Sequence, residues 1–345
     1  MPDMTLDMHA IRLAARKLEE GELVAFPTET VYGLGADAEN PAAVARIYAA
    51  KGRPANHPVI VHLAPGADIG YWAEAIPPEA NKLIDAFWPG PLTLILRRAA
   101  HIPDAVSGGQ DSIGLRCPSH PVAQALLREF KGGKGGVAAP SANRFGHVSP
   151  TTARHVQDEF GTAPNGPVAC ILDGGQSEVG IESSILDLSR MASHGPVLLR
   201  PGHISTADIA RVIGMRPRMP DAAAPRASGT LESHYAPNTP VALVVPEQWN
   251  HVHDRLVLNK RRVASLRRTM PPMPLAVAQF GLPATPEGYA HDLYAALRMM
   301  DEAGADIILV ELPPVDEQWQ GVNDRLRRAA HDSSGILARL LDEAR

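Results

Sequence analysis

The stretch Pro27-Thr28-Glu29-Thr30-Val31-Tyr32-Gly33-Leu34-Gly35 follows directly on Glu22 to Phe26, an apolar segment that is predicted to be a β-strand. Its two threonines, one acid and two glycines predict a polar turn at the end of that strand. A second stretch, Lys51-Gly52-Arg53-Pro54, comes soon after it. Between the two, Asn40-Pro41 is typical of a helix start, with an N-cap asparagine and a proline in the first turn.

The helix that starts at Asn40 is predicted to end at Lys51. Gly52 would then follow it, because glycine readily adopts the left-handed conformation that ends helices. The helix dipole favours a lysine in the last turn, and Arg53 just beyond it can reach an anion. We expect both cations to be exposed to solvent when no ligand is bound. Facing a turn rich in hydroxyls, they predict a polyphosphate site; the alternative is an ordinary helix end with two solvated cations.

Composition limits the class of protein. The chain has 345 residues, 45% of them hydrophobic and 21% charged, which predicts a globular protein of about two domains. The net charge of −5 gives no overall nucleic-acid footprint, so an anion site must be local. Cys117 and Cys170 form no CxxC pair and are predicted to be reduced core thiols. No signal peptide or long apolar span is evident, so we expect a cytoplasmic protein without membrane contact.

Strand-like and helix-like segments alternate along residues 1–214, which predicts an α/β domain with a twisted mixed sheet and flanking helices. Residues 215–240 are rich in proline and lack hydrophobic periodicity, so they are predicted to be a linker or lid. Residues 241–345 alternate again and predict a smaller C-terminal open α/β domain. The predicted strands are Glu22–Phe26, Pro58–Leu63, Leu92–Arg98, Ser112–Arg116, Gly136–Ala139, Val168–Leu172, Ser183–Leu188, Val197–Arg200, Val241–Val245, Leu275–Phe280 and Ile307–Leu312.

Polar side chains follow several of these strands. Arg116 and Arg200 each end a strand, where a guanidinium can grip a carboxylate or phosphate. Ser141 and Asn143 follow a strand of small residues. Ligands of open α/β sheets bind outside strand ends, so we expect these groups to converge. Taken singly, each has an alternative: the arginines as surface cations, and the serine and asparagine as turn formers.

Together the motifs resemble the YrdC/TsaC family of threonylcarbamoyl-AMP synthases, in its long two-domain form. They occur in the family's order between residues 27 and 202. The matching motifs are PTETVYGLG (27–35), KGRP (51–54), PVIVHL (58–63), WPGPLT (88–93), SIGLRCP (112–118), APSAN (139–143), GIESSI (180–185) and LLRPG (198–202).

The resemblance implies a nucleotidyltransferase with a YrdC-like fold. Such an enzyme condenses L-threonine, bicarbonate or CO2, and ATP, and releases pyrophosphate and threonylcarbamoyl-AMP. Partner proteins then transfer the threonylcarbamoyl group to tRNA, and a weak contact with tRNA itself is a further expectation. The resemblance also implies Mg²⁺ bound with the ATP, for which no protein side chain is assigned as a ligand.

The resemblance implies site residues of three kinds, all at positions that match the family's motifs. Those implied in catalysis, on the ATP side of the cavity, are Lys51, Arg53, Ser141 and Asn143. Those implied to bind threonine are Thr30, His62, Arg116, Ala139 and Ser183. Further ATP contacts are implied for His57, Ser149, Arg200 and Tyr235, the last of which would close over the site from the linker.

Two other classes of function stay open from the residues alone. One is a non-catalytic RNA-binding module, which the acidic net charge and the 5% aromatic content disfavour. The other is a carbamoyl-adenylating maturation factor for metal enzymes, a class that carries additional zinc-finger cysteines. Two isolated cysteines argue against it.

Overall fold

The computed structural model describes residues 6–230, 234–333 and 335–342. The chain divides into two compact units, Met1–Phe145 with Pro150–Thr230, and Gly146–Ser149 with Leu231–Arg345. The predicted linker, residues 215–240, is therefore shared between the two units. Within the described residues, no helix is long and apolar enough to cross a bilayer.

A mixed sheet of ten strands forms the centre of the first unit. The strands are β1 Leu23–Phe26, β2 Gly33–Asp37, β3 Ile60–Leu63, β4 Ala73–Glu74, β5 Leu92–Arg98, β6 Ser112–Arg116, β7 Gly136–Ala138, β8 Val168–Ile171, β9 Ser184–Asp187 and β10 Val197–Arg200. Their order is β10-β9-β5-β6-β3-β7-β2-β1-β8, with β4 paired to β5. β5–β9, β3–β6 and β1–β8 are parallel and the other pairs antiparallel. The predicted mixed sheet is confirmed.

Helices cover both faces of this sheet. They are α1 Met8–Glu19, α2 Pro41–Lys51, α3 Ile69–Trp72, α4 Pro78–Phe87, α5 Pro121–Glu129, α6 Ala153–Phe160, α7 Met191–His194 and α8 Thr206–Ile213. Alternate residues of β1 point to opposite faces. Leu23 and Ala25 pack in one hydrophobic cluster with α2, α4 and α8. Val24 and Phe26 pack in another with α1 and α5.

The helix predicted from Asn40 is confirmed. The Asn40 side chain accepts hydrogen bonds from the backbone N–H groups of Ala42 and Ala43, and Gly52 ends the helix with φ 65°. This end fixes where Lys51 and Arg53 leave the helix.

One local prediction in the first unit was wrong. Gly33–Asp37 is strand β2, paired with β1, and not part of a turn. Its glycine at position 35 serves packing, because a Cβ there would lie 2.9 Å from the Phe26 ring. Helix α6 begins at Ala153, with Thr152 as its N-cap. Of the two free cysteines, Cys117 is buried as predicted, whereas Cys170 is only half-buried.

The second unit contains a four-stranded parallel sheet in the order β11-β14-β12-β13, which confirms the prediction of a small open α/β fold. Its strands are β11 Val241–Val244, β12 Val263–Arg267, β13 Ala278–Gly281 and β14 Ile307–Glu311. Its helices are α9 Trp249–Leu258, α10 Pro286–Asp301, α11 Gln320–Ala330 and α12 Ile336–Asp342. Helix α9 and strand β12 were not predicted from the sequence, and β13 begins at Ala278, later than the predicted start at Leu275.

Candidate active site

The guanidinium of Arg116 is the centre of a buried polar cluster at the end of β6. Its Nη2 donates to Oε1 of Glu29 at 2.6 Å, and both side chains are 4% exposed. Its Nη1 donates to Oγ1 of Thr30 at 2.9 Å, and its Nε donates to the Gly90 carbonyl at 3.2 Å. The predicted cation at this strand end is therefore present, but it is held by protein groups and not exposed as a surface arginine would be.

Thr30 is itself fixed by Thr28. The two threonine hydroxyls lie 2.9 Å apart, and the Thr28 hydroxyl also donates to the Val31 carbonyl at 2.6 Å. The backbone N–H groups of Thr30 and Val31 donate back to Thr28 Oγ1 at 3.2 Å. This local turn makes the first threonine a structural residue and leaves the second facing Arg116.

His62 lies beside Arg116, because the two are Cα partners on the parallel strands β3 and β6. The ring is buried and packs edge-on against Phe26, with 6.1 Å between ring centroids. Burial, with a smaller effect from the charge of Arg116, lowers the pKa of His62 to about 3. Its Nδ1 has no hydrogen-bond partner among the described residues. The site thus contains a neutral imidazole with a polar atom available to a ligand.

Protonation of His62 should make the fold sensitive to acid. Its folded pKa of about 3 lies below the ordinary 6.5, so the unfolded chain binds more protons between these values and stability falls as the pH falls. At pH 4.5, two units below 6.5, this side chain alone is expected to lower the free energy of unfolding by about 2–3 kcal/mol relative to pH 7. Denaturant unfolding of wild type and His62→Gln at both pH values measures this. Equal losses of stability in the two proteins would contradict it.

Lys51 is buried between two backbone carbonyls. Its ammonium donates to the carbonyl of Ser141 at 2.6 Å and to that of Asn143, and the side chain is 4% exposed. Burial, and then repulsion from Arg53, lowers its pKa well below the ordinary value. The expectation of a solvated Lys51 was wrong, because the loop after β7 folds back onto the end of α2. An ammonium has three N–H donors; among the described residues two of them have acceptors, so one is left for a ligand.

Arg53 is also buried, at 6% exposure, which corrects the expectation of a solvated cation. Its Nη2 donates to the Pro58 carbonyl at 2.8 Å, and both terminal nitrogens lie 3.4 Å from the hydroxyl of Ser228. The Ser228 carbonyl in turn accepts a hydrogen bond from Nη1 of Arg200 at 2.8 Å. A residue of the predicted linker thus joins two arginines that come from distant parts of the sequence.

Arg200 continues this network to Ser183. Its Nε donates to the Ser183 carbonyl at 3.1 Å, and its Nη2 donates to the hydroxyl at 3.3 Å. The Ser183 hydroxyl also lies 2.7 Å from the hydroxyl of Thr93 on β5. Gly202 lets its own backbone pack closely against the segment that contains Ser183, because a Cβ at position 202 would lie 2.5 Å from the backbone nitrogen of Ser184.

The remaining predicted residues are divided between the two units of the chain. Ala139 follows β7 and donates its N–H to the Ile60 carbonyl. His57 is half-buried with its ring 5.6 Å from that of Phe145, and burial followed by the charge of Arg53 lowers its pKa. Ser149 and Tyr235 belong to the second unit.

In the second unit, Tyr235 is buried and has a positive φ of 61°. Its ring centroid lies 5.7 Å from that of Tyr294, and the Arg325 guanidinium lies 5.4 Å from it. The role of Tyr235 as a nucleotide contact stays a prediction.

Three residues of the cluster had no role in the sequence analysis: Glu29, Thr93 and Ser228. Glu29 was visible as the one acid of the predicted polar turn, but nothing in the sequence showed that it would be buried and paired with Arg116. Thr93 stands in the quoted WPGPLT motif, but a threonine in a strand is ordinary. Nothing in the composition of the linker distinguished Ser228.

The arrangement suits a reaction between anions. Buried cations and neutral hydroxyls at strand ends can fix a carboxylate and a phosphate chain and offset developing charge without a covalent nucleophile. Among the described residues, no group of three or more His, Cys, Asp or Glu side chains could hold a metal ion.

Comparisons with known proteins identify the family of this chain. Residues 16–202 match the Sua5/YciO/YrdC family model, described as "Telomere recombination", and residues 204–331 match the model "Threonylcarbamoyl-AMP synthase, C-terminal domain". The threonylcarbamoyl-AMP synthase of Pyrococcus abyssi is 40% identical over 93% of this chain and 94% of its own length, and that of Bacillus subtilis is 40% identical over 93% and 92%.

A crystal structure of P. abyssi Sua5 complexed with L-threonine covers 95% of this chain and 96% of its own, with 37% identity and a TM-score of 0.86. The two matched regions follow one another along the chain. The chain therefore belongs to the Sua5/YciO/YrdC family, in the two-domain form whose named relatives are threonylcarbamoyl-AMP synthases.

Proposed function

We propose that this chain is an L-threonylcarbamoyladenylate synthase that uses L-threonine, bicarbonate or CO2, and ATP. The observation that carries the proposal is the pair of buried cation sites in one unit: Arg116 held beside Thr30 and His62, and Lys51 held beside Ser141 and Asn143. The names of the relatives and the threonine complex of P. abyssi Sua5 support the same reaction.

The proposed reaction has two steps. The ammonium of threonine first loses a proton to solvent, and the free amine then attacks the carbon of CO2 and loses a second proton to solvent, which gives a carbamate; starting from bicarbonate, one water and a single proton are released. A carbamate oxygen then attacks the α-phosphorus of ATP. The bond from that phosphorus to the bridging oxygen breaks, and pyrophosphate leaves with the electron pair. The protein aligns the reactants and stabilises negative charge.

The buried groups fit these tasks. Arg116 would bind the threonine carboxylate, with Thr30, His62, Ala139 and Ser183 around the amino acid. The free N–H of Lys51, together with Arg53, would bind phosphate oxygens, with Ser141 and Asn143 beside them. Arg200 and His57 would face the nucleotide, and Ser149 and Tyr235 stay predictions in the second unit.

Mg²⁺ is proposed to bind with the ATP. It usually keeps several waters and is held largely by substrate phosphates, so no protein side chain is assigned to it as a ligand. When bound, the ion would offset charge on the phosphate chain. Transfer of the product's threonylcarbamoyl group to tRNA by partner proteins, a weak tRNA contact and a cytoplasmic location are further parts of the proposal.

The decisive experiment incubates the full chain with ATP, threonine, Mg²⁺ and labelled bicarbonate. We expect a labelled adenylate and an equal amount of pyrophosphate. Absence of both products from freshly purified, folded protein would refute the proposed function. Filter binding to tRNA at rising salt, run in parallel, tests the alternative function of a non-catalytic RNA-binding module. Strong tRNA binding without turnover would indicate such a module.

A further inference from the structure

Glu29 is the buried acid of the cluster, and nothing in the proposed reaction uses it. Both of its carboxylate oxygens have protein partners: Oε1 accepts from Nη2 of Arg116 at 2.6 Å, and Oε2 accepts from the N–H of Ser119 at 3.1 Å. Its backbone carbonyl accepts from the N–H of Val179 at 2.6 Å. With two partners on the carboxylate and one on the backbone carbonyl, the side chain is fixed in position and orientation.

The effect of this fixed carboxylate is seen in how the N–H donors of Arg116 are distributed among their acceptors. A guanidinium has five N–H donors. Among the described residues, Gly90, Thr30 and Glu29 take one each, on Nε, Nη1 and Nη2 respectively. One N–H on each terminal nitrogen is left, and these two can bind the two oxygens of a carboxylate. Glu29 thus occupies one donor and thereby sets the direction of the remaining ones.

We propose that Glu29 is a positioning residue that holds the Arg116 guanidinium in the orientation that binds the carboxylate of the amino-acid substrate. This inference rests on the proposed function, in which Arg116 binds threonine. Glu29 also keeps a buried guanidinium compensated when no substrate is bound, since an unpaired buried charge is strongly unfavourable.

Charge and geometry make opposite predictions for the loss of Glu29. Considered as a charge alone, Glu29 repels the substrate carboxylate, and its removal would tighten binding. Threonine, however, is a zwitterion whose ammonium lies next to its carboxylate, so attraction of the one largely offsets repulsion of the other. The orientation of Arg116 then dominates, and the loss of Glu29 should weaken threonine binding.

Two variants separate these effects. Glu29→Gln keeps the length of the side chain, but its amide NH2 must face either the Arg116 donor or the Ser119 donor. Glu29→Asp keeps the charge but is too short to reach both partners. If orientation matters, both variants weaken threonine binding; if charge alone matters, the aspartate variant behaves like wild type. Glu74→Gln is the matched control, because it breaks an exposed pair with Arg97 that is 2.8 Å long.

The test measures calorimetric affinities for threonine and for ATP separately, with the full chain. Glu29→Gln and Glu29→Asp are each expected to weaken threonine binding by about tenfold or more, while ATP binding changes less than about twofold and Glu74→Gln matches wild type. Equal losses for both ligands would show a merely structural role and overturn the proposal. Unchanged or tighter threonine binding would also overturn it.

A second readout does not depend on any substrate. The Nε–H signal of Arg116 in ¹⁵N-arginine spectra, assigned by its absence in Arg116→Lys, should exchange with water faster in Glu29→Gln than in wild type. An unchanged exchange rate would refute the positioning role even if the protein binds threonine. A wild type that makes no threonylcarbamoyl-AMP but shows this faster exchange in the variant would refute the proposed function and leave the positioning of Arg116 intact.

Discussion

Replacing Lys51 with methionine is expected to slow ATP-dependent pyrophosphate release by about ten- to a hundredfold, because a charge-assisted contact to a phosphate is lost. The ammonium is held by the carbonyls of Ser141 and Asn143, so its third N–H points from a fixed place. Methionine keeps the aliphatic length and removes the donors. Arg53→Ala should also slow pyrophosphate release, because the Arg53 guanidinium is proposed to bind phosphate oxygens together with Lys51.

Stability has to be measured beside activity for these variants. Loss of the Lys51 donors removes two hydrogen bonds to backbone carbonyls, at a cost of about 1–3 kcal/mol each. Lys131→Met is the matched control: this half-buried lysine contacts Asp37 at 2.7 Å and Glu39 at 3.0 Å, at residues with no role in the site. We expect it to lose stability but keep its rate. Wild-type pyrophosphate release in both Lys51→Met and Arg53→Ala would place the phosphate site elsewhere.

The sequence predicted the position of these cations better than their surroundings. Asn40, Pro41 and Gly52 are local signals, so both ends of helix α2 followed from short-range chemistry. The burial of Lys51 did not, because the carbonyls that bind it belong to residues 141 and 143, about ninety positions away. Local patterns carry no information about which distant loop folds over a helix end.

Strand β2 shows the same limit in the fold. Gly33 and Gly35 indicated a turn, since glycine is most often interpreted through its conformational freedom. In the structure the close approach of the Phe26 ring and Val137 explains Gly35. That reason depends on which strands are neighbours in the sheet, and the sequence alone did not show the strand order.

Arg116→Lys is expected to weaken threonine binding by about ten- to a hundredfold while ATP affinity stays within about twofold of wild type. A planar guanidinium can hold a carboxylate through two parallel hydrogen bonds, and an ammonium cannot. The protein contacts also matter here. Arg116 serves Gly90, Thr30 and Glu29 at once, and the three donors of a lysine would be used up by those partners, with none left for the substrate.

Separate calorimetric titrations with threonine and with ATP measure this effect, and Arg97→Lys is the matched control because it shortens an arginine in an exposed ion pair with Glu74. The control should bind both ligands like wild type. Equal weakening of threonine and ATP binding in Arg116→Lys would indicate general damage to the first unit and contradict the assignment. Selective weakening of ATP binding would exchange the proposed roles of Arg116 and Lys51, since the carboxylate and the phosphates would then bind at opposite cation sites.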